Sequence, residues 1–138
     1  MEKILYADDD SDTQEIIKDI LTKEGYEVII AKDGNEALNL AKVNKPDLIA
    51  LDYLMPGLNG EEVCKALKSD AETQHIPVIM VTAYPSEKEK GLGAGAVDFI
   101  TKPIGKTELL LRIRAVLKVR HIQNELQKII AYIAELEK

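Results

Sequence analysis

Five short, uninterrupted apolar runs punctuate the sequence, at residues 4–7, 28–30, 48–51, 78–81 and 97–100, the last broken by Asp98. Strands of that kind, apolar throughout instead of alternating, are covered on both faces, which is the usual condition of a parallel sheet. The segments between them carry helical periodicity: Ile16, Ile17, Ile20 and Leu21 share one face of the first, and Ala37, Leu38 and Ala41 one face of the second. Each predicted helix has a start signal of a capping residue followed three positions later by Glu or Gln. The pairs are Ser11 with Gln14, Asp33 with Glu36, Asn59 with Glu62, Ser86 with Glu89 and Gly105 with Glu108. Strand and helix therefore alternate five times, which predicts right-handed crossovers and an α/β, doubly wound parallel sheet. The last helix begins near Lys106 and meets no breaker before Lys138. It outruns so shallow a sheet, so its end must project.

A chain of 138 residues, 46% of them hydrophobic, is one domain's worth with a core of ordinary size. Lys and Arg number 18 against 24 Asp and Glu, a net charge of −6, which argues against nucleic acid as a direct partner. Cys64 is the single cysteine and makes no internal disulfide. No apolar run approaches the roughly 18 residues of a membrane span, and charge arrives too early for a secretory leader. The expectation is a cytoplasmic protein with no membrane contact.

The chemistry collects at the C-terminal ends of the strands, the edge at which folds of this type bind ligands. Asp8, Asp9 and Asp10 end the first strand, Asp52 the third and Thr82 the fourth, and Lys102 follows the fifth. Singly, an aspartate leaving a strand is most often a cap or turn residue. Together, several carboxylates at one edge repel one another unless a cation joins them, and such an oxygen-rich site suits Mg²⁺. A hydroxyl and an ammonium facing that cluster are what a phosphoryl group needs.

Four segments, Ile4-Leu5-Tyr6-Ala7-Asp8-Asp9-Asp10, Leu51-Asp52-Tyr53-Leu54-Met55-Pro56-Gly57, Val81-Thr82-Ala83 and Thr101-Lys102-Pro103, come in an order that resembles the receiver domain of two-component response regulators. The match covers residues 1 to about 119. The resemblance implies a flavodoxin-like sheet of order 2-1-3-4-5, in which the four motifs converge. It also implies that Asp52 is the phosphoacceptor and that Asp8, Asp9, Asp52 and the main-chain carbonyl of Leu54 hold Mg²⁺. Thr82 and Lys102 would meet the phosphoryl group, and Thr82 with Phe99 would form a switch acting on the surface of helix 4, strand 5 and helix 5. The implied partner is a sensor histidine kinase or a phosphohistidine transfer protein. Beyond self-phosphorylation and slow autodephosphorylation the protein would not be an enzyme. The resemblance further implies a cis Lys102-Pro103 bond. Lys102 lies only 20 positions after Thr82, fewer than is typical of receivers, and the segment includes Gly91, Gly93 and Gly95, so helix 4 should be short and weak.

An alternative is a small Mg²⁺-dependent phosphatase with Asp8 as nucleophile, since Asp8 and Asp10 form an Asp-x-Asp after strand 1. Its usual following residues are replaced by Ser11-Asp12-Thr13, and there is no room for a substrate cap. A dimerisation scaffold without phosphorylation is a third reading, placed last because every acceptor residue is present. Cys64 reads as a core thiol, His75 and His121 as surface residues, and Arg112, Arg114, Lys118 and Arg120 as a solvated face or inter-subunit salt bridges. Residues 120–138 form a helical extension. Ala115, Val119, Ile122, Leu126, Ile129, Ile133 and Leu136 are spaced alternately by four and three, the seam of a parallel coiled coil that would make a homodimer.

Overall fold

The computed structural model describes residues 1–138, the side chain of residue 85 excepted. The elements run β1 (Lys3–Ala7), α1 (Ser11–Lys23), β2 (Glu27–Ala31), α2 (Gly34–Asn44), β3 (Leu48–Asp52), α3 (Gly60–Ser69), β4 (Val78–Thr82), a 3₁₀ turn (Pro85–Glu87), α4 (Lys88–Gly93), β5 (Asp98–Thr101) and α5 (Lys106–Leu136). All four strand pairings are parallel, and the order is β2-β1-β3-β4-β5. Every expected strand is present. The fifth starts one residue later than its apolar run, because Val97 lies outside the ladder and is exposed.

Successive strand residues face opposite sides of the sheet, and two apolar layers result. Leu5, Ala7, Ile49, Leu51, Val78, Met80 and Phe99 face α2, α3 and α4. Ile4, Tyr6, Leu48, Ala50, Ile79, Val81 and Ile100 face α1 and α5. Within α1, Ile17 and Leu21 are buried, whereas Ile16, expected on the same face, points to solvent.

Local chemistry starts most helices where the sequence reading placed them, with two corrections. The cap of α1 is Asp10, whose carboxylate accepts from the Thr13 N–H at 3.2 Å, and not Ser11. Ser86 caps nothing, because residues 85–87 wind as a 3₁₀ turn and α4 follows without a side-chain cap. Asp33 caps α2, and Asn59 and Glu62 form a reciprocal capping box on α3. As expected, α4 is short, at six residues.

The 31 residues of α5 span about 46 Å, against about 17 Å for a five-residue strand. Leu109, Leu110, Ile113 and Leu117 are buried on the sheet, and every residue from 121 to 138 is exposed. Three residues of the basic run on this helix pair within their own chain. Arg112 contacts Asp98 and Glu108, Arg114 contacts Glu24, and Arg120 reaches Asp47. No helix is long and apolar enough to cross a membrane among the described residues.

Candidate functional site

The two-residue strand period decides which side chains meet. In β1 the side that carries Ile4 and Tyr6 continues to Asp8, and in β3 the side that carries Leu48 and Ala50 continues to Asp52. Because β1 and β3 are neighbours, both carboxylates emerge over the same end of the sheet. The Lys102 ammonium, arriving beyond β5, stands 3.1 Å from Asp8 Oδ2 and 3.1 Å from Asp52 Oδ2. Its strand end is fixed by the Lys102 N–H donating to the Thr82 carbonyl at 2.7 Å. The Lys102-Pro103 bond is cis.

Asp8, Asp9 and Asp52 each offer a carboxylate oxygen within 4.8 Å of the others. Asp8 and Asp52 are buried and Asp9 is exposed. When all three are ionised, one ammonium among them leaves two negative charges uncompensated. That deficit, an all-oxygen donor set and one open side fit a divalent hard cation such as Mg²⁺, which takes few carboxylates and keeps waters. Burial first, and then the charge of Asp8, push the Asp52 carboxyl up to about 6 despite the relief given by Lys102. Burial alone would lower the Lys102 pKa. The hydrogen bonds and charges of Asp52 and Asp8 outweigh it and leave the ammonium above the usual lysine range.

The two buried carboxylates differ in availability. Asp8 Oδ1 accepts from the Asp10 N–H at 2.9 Å, and its Oδ2 accepts from the Tyr6 hydroxyl at 2.6 Å as well as from Lys102. Among the described residues, Asp52 accepts a side-chain hydrogen bond from Lys102 alone, through Oδ2. Gly60 keeps the loop after β3 tight: its N–H donates to the Tyr53 carbonyl at 2.8 Å, and a Cβ there would stand 2.7 Å from the Asp52 carbonyl oxygen. Leu54 lies in that loop, two residues beyond Asp52, with its side chain exposed.

A family model described as the response regulator receiver domain matches residues 4–114. The chain belongs to that family. It is 43% identical over 129 residues to the transcriptional regulatory protein CpxR of Escherichia coli, covering 92% of this chain and 54% of CpxR. It is 41% identical over 128 residues to the response regulator PleD of Caulobacter vibrioides, covering 91% of this chain and 28% of PleD. This receiver therefore spans about half or less of the length of those relatives. Among solved structures, the receiver domain of the sensor histidine kinase PA1611 from Pseudomonas aeruginosa superposes with a TM-score of 0.80 at 27% identity. That match covers 85% of this chain and 98% of the other, which holds a magnesium ion coordinated in its active-site cleft.

In this receiver the residues expected to switch lie on the other face of the sheet from the charge cluster. Thr82 continues the side of β4 that carries Val78 and Met80, and Phe99, paired with Met80, faces the same way. Thr82 is buried, and its hydroxyl accepts from the Tyr84 N–H at 3.1 Å. The Phe99 ring is buried beneath α4, with the Lys88 ammonium 5.9 Å from its centroid.

Two contributors to the site escaped the sequence reading. Tyr6 is fully buried and donates to Asp8. Burial, then its bond to Asp8, raises the phenol above its ordinary range, so it stays a donor. Gln14, one turn into α1, donates to the Asp8 carbonyl at 2.5 Å. The signal for Tyr6 was present, since a phenol in a strand covered on both faces needs an acceptor and Asp8 lies two residues on. Cys64 is a core thiol as expected, donating to the Ala94 carbonyl and pushed up to about 11 by burial.

Proposed function

We propose that this receiver is a phosphorylation-activated switch in which Asp52 takes a phosphoryl group from a sensor histidine kinase or a phosphohistidine transfer protein. The observation that carries the reading is the Lys102 ammonium bridging Asp8 and Asp52 at 3.1 Å each, with Asp9 completing the acidic cluster. An Asp52 carboxylate oxygen attacks phosphorus in line as the phosphorus–nitrogen bond of the donor breaks, and the imidazole leaves with that electron pair. Asp8, Asp9, Asp52 and the Leu54 carbonyl would hold Mg²⁺, which would supply neutralisation of the phosphoryl oxygens. Lys102 turns from Asp52 Oδ2 to the incoming negative charge, and the Thr82 hydroxyl, a donor as well as an acceptor, bonds a phosphoryl oxygen.

Asp52 is favoured over Asp8 as the nucleophile because Asp8 has both oxygens committed to donors on its own chain. That weighs against a phosphatase acting through Asp8. Movement of Thr82 toward the phosphoryl group would draw on the Phe99 side of the sheet and so alter the surface of α4, β5 and α5. We further assign 1–119 to the receiver and 120–138 to a coiled-coil extension that joins two copies. The seam residues from Val119 to Leu136 are each 48% to 67% exposed in the single chain, a liability that a second copy removes. Incubation with Mg²⁺ and a small phosphodonor, followed by mass spectrometry, should find one hydroxylamine-labile phosphoryl group on Asp52 and none on Asp52→Asn. Phosphate on Asp8 or on a hydroxyl would overturn the assignment.

A further inference from the structure

At the opposite end of the strands from Asp52, a cavity of about 290 Å³ opens between α5 and the loop joining α3 to β4. Its apolar lining includes Pro77, Val97 and Val116, and Lys68 and Arg120 bring positive charge to it beside His75. Lys68 is held in place. Its stem crosses Gly95, where a Cβ would stand 2.9 Å from Lys68 Cγ, and its ammonium donates to the carbonyls of Ile76 at 2.7 Å and Gln74 at 3.1 Å. Among the described residues no carboxylate lies within 4.0 Å of Lys68 or His75. Arg120 does have one, Asp47, which also accepts from the Lys3 N–H at 2.8 Å. Partial burial, and then the charges of Arg120, Lys68 and Lys45, hold His75 below its ordinary range, so the imidazole adds no positive charge at neutral pH.

We propose that this cavity binds a small anion with an apolar body, a carboxylate or phosphate ester carrying a short chain or a single ring. A fixed, partly desolvated ammonium without a counter-charge in a chain of net charge −6 calls for an anionic group. The apolar lining calls for more than a bare ion, and the volume, at the small end for ligand sites, suits a small molecule. A neutral ligand would leave the ammonium with carbonyl partners but no counter-charge, and an inorganic anion would leave the apolar lining wet. The cavity is separated from Asp52 by the length of the sheet, so the inference stands apart from the phosphoacceptor reading.

The test uses the full chain, with amide NMR shifts read during titration by octanoate, octyl phosphate, acetate and octan-1-ol. Octanoate or octyl phosphate should give saturating shifts at Lys68, His75, Val97 and Val116 with a Kd of about 1 mM or tighter, and their order assigns the headgroup. Acetate and octan-1-ol should bind at least about tenfold more weakly. Lys68→Met tests the ammonium directly but removes a loop anchor. Val97→Glu, at an exposed position on the cavity wall, puts a competing charge there and should weaken binding about tenfold or more with the thermal midpoint unchanged. No saturating shift with either amphiphile, equal affinity for octan-1-ol, or undiminished binding to Val97→Glu would overturn the proposal.

Discussion

Removing the Asp52 charge should stabilise the metal-free protein at neutral pH. In the folded chain the Asp52 carboxyl is raised from 3.8 to about 6 by burial and by Asp8, and Lys102 only partly offsets this. An acid raised in the folded state favours the unfolded state once it ionises, so its contribution is harmless below about pH 4 and becomes a full penalty as pH rises through about 6. At about 1.4 kcal/mol per tenfold change in a proton equilibrium, that rise sets a ceiling of about 3 kcal/mol. Screening at the open, Asp9 side of the cluster brings the working figure to about 1–2 kcal/mol. Asp52→Asn keeps the shape and an oxygen for Lys102 without the charge. In chelator at pH 7 it should therefore be more stable by about 1–2 kcal/mol, a rise of roughly 3–8 °C in melting midpoint. Near pH 4 the gain should vanish. Saturating Mg²⁺ should reverse the order, since a ligand at 100 times its Kd adds about 2.7 kcal/mol to the protein that binds it. Urea unfolding followed by circular dichroism at both pH values reads all of this. An Asn variant less stable than the parent in chelator at pH 7, or a gain that is the same at both pH values, would refute the reasoning.

The other expectations are more direct. Asp9→Ala, at an exposed position, should leave the metal-free melting curve unchanged and remove most of the stabilisation by Mg²⁺ in the same scan. Tyr6→Phe deletes the donor on Asp8 Oδ2 and should weaken Mg²⁺ binding about tenfold by calorimetry, with a loss of about 1–2 kcal/mol in chelator. In α4, Gly93→Ala should stabilise by about 0.5–1 kcal/mol, because a Cβ there meets nothing within 4 Å. Gly91→Ala should gain less or lose in the same unfolding assay, since its Cβ would stand 3.0 Å from Met80 Cγ. Replacing Leu126 and Ile129 with Glu should turn a dimer into a monomer by light scattering without changing the melting of the receiver; a parent that is already monomeric at tens of micromolar removes the coiled coil.

The sequence by itself determined the order and kind of the elements, because those follow from neighbours within a turn or a strand. The apolar runs became β1 to β5, Asp33 and Asn59 capped α2 and α3, and the unbroken pattern from Lys106 became one helix. It also placed Asp8, Asp9, Asp52, Thr82 and Lys102 at strand ends, since Asp8, Asp52 and Thr82 follow an apolar run directly and Asp9 and Lys102 follow one residue later. Ser11 and Ser86 were misplaced as caps for a local reason: a start signal fixes a helix only to within a residue or two, and the segment after Thr82 wound as a 3₁₀ turn. What the tertiary structure decided were distances between residues far apart in the chain. Lys102 meets carboxylates 94 and 50 residues away because β1, β3, β4 and β5 lie side by side. The sheet's two faces put the charge cluster on one side and Thr82 with Phe99 on the other. Burial of Tyr6 against α1 and α5 set its hydroxyl against Asp8, to which it donates. Likewise Arg112, Arg114 and Arg120 found acids on β5, on the turn after α1 and before β3, and Lys68 found only carbonyls. Periodicity says which side of an element is apolar; only the packed sheet says which charges that arrangement brings within reach and which it leaves unpaired.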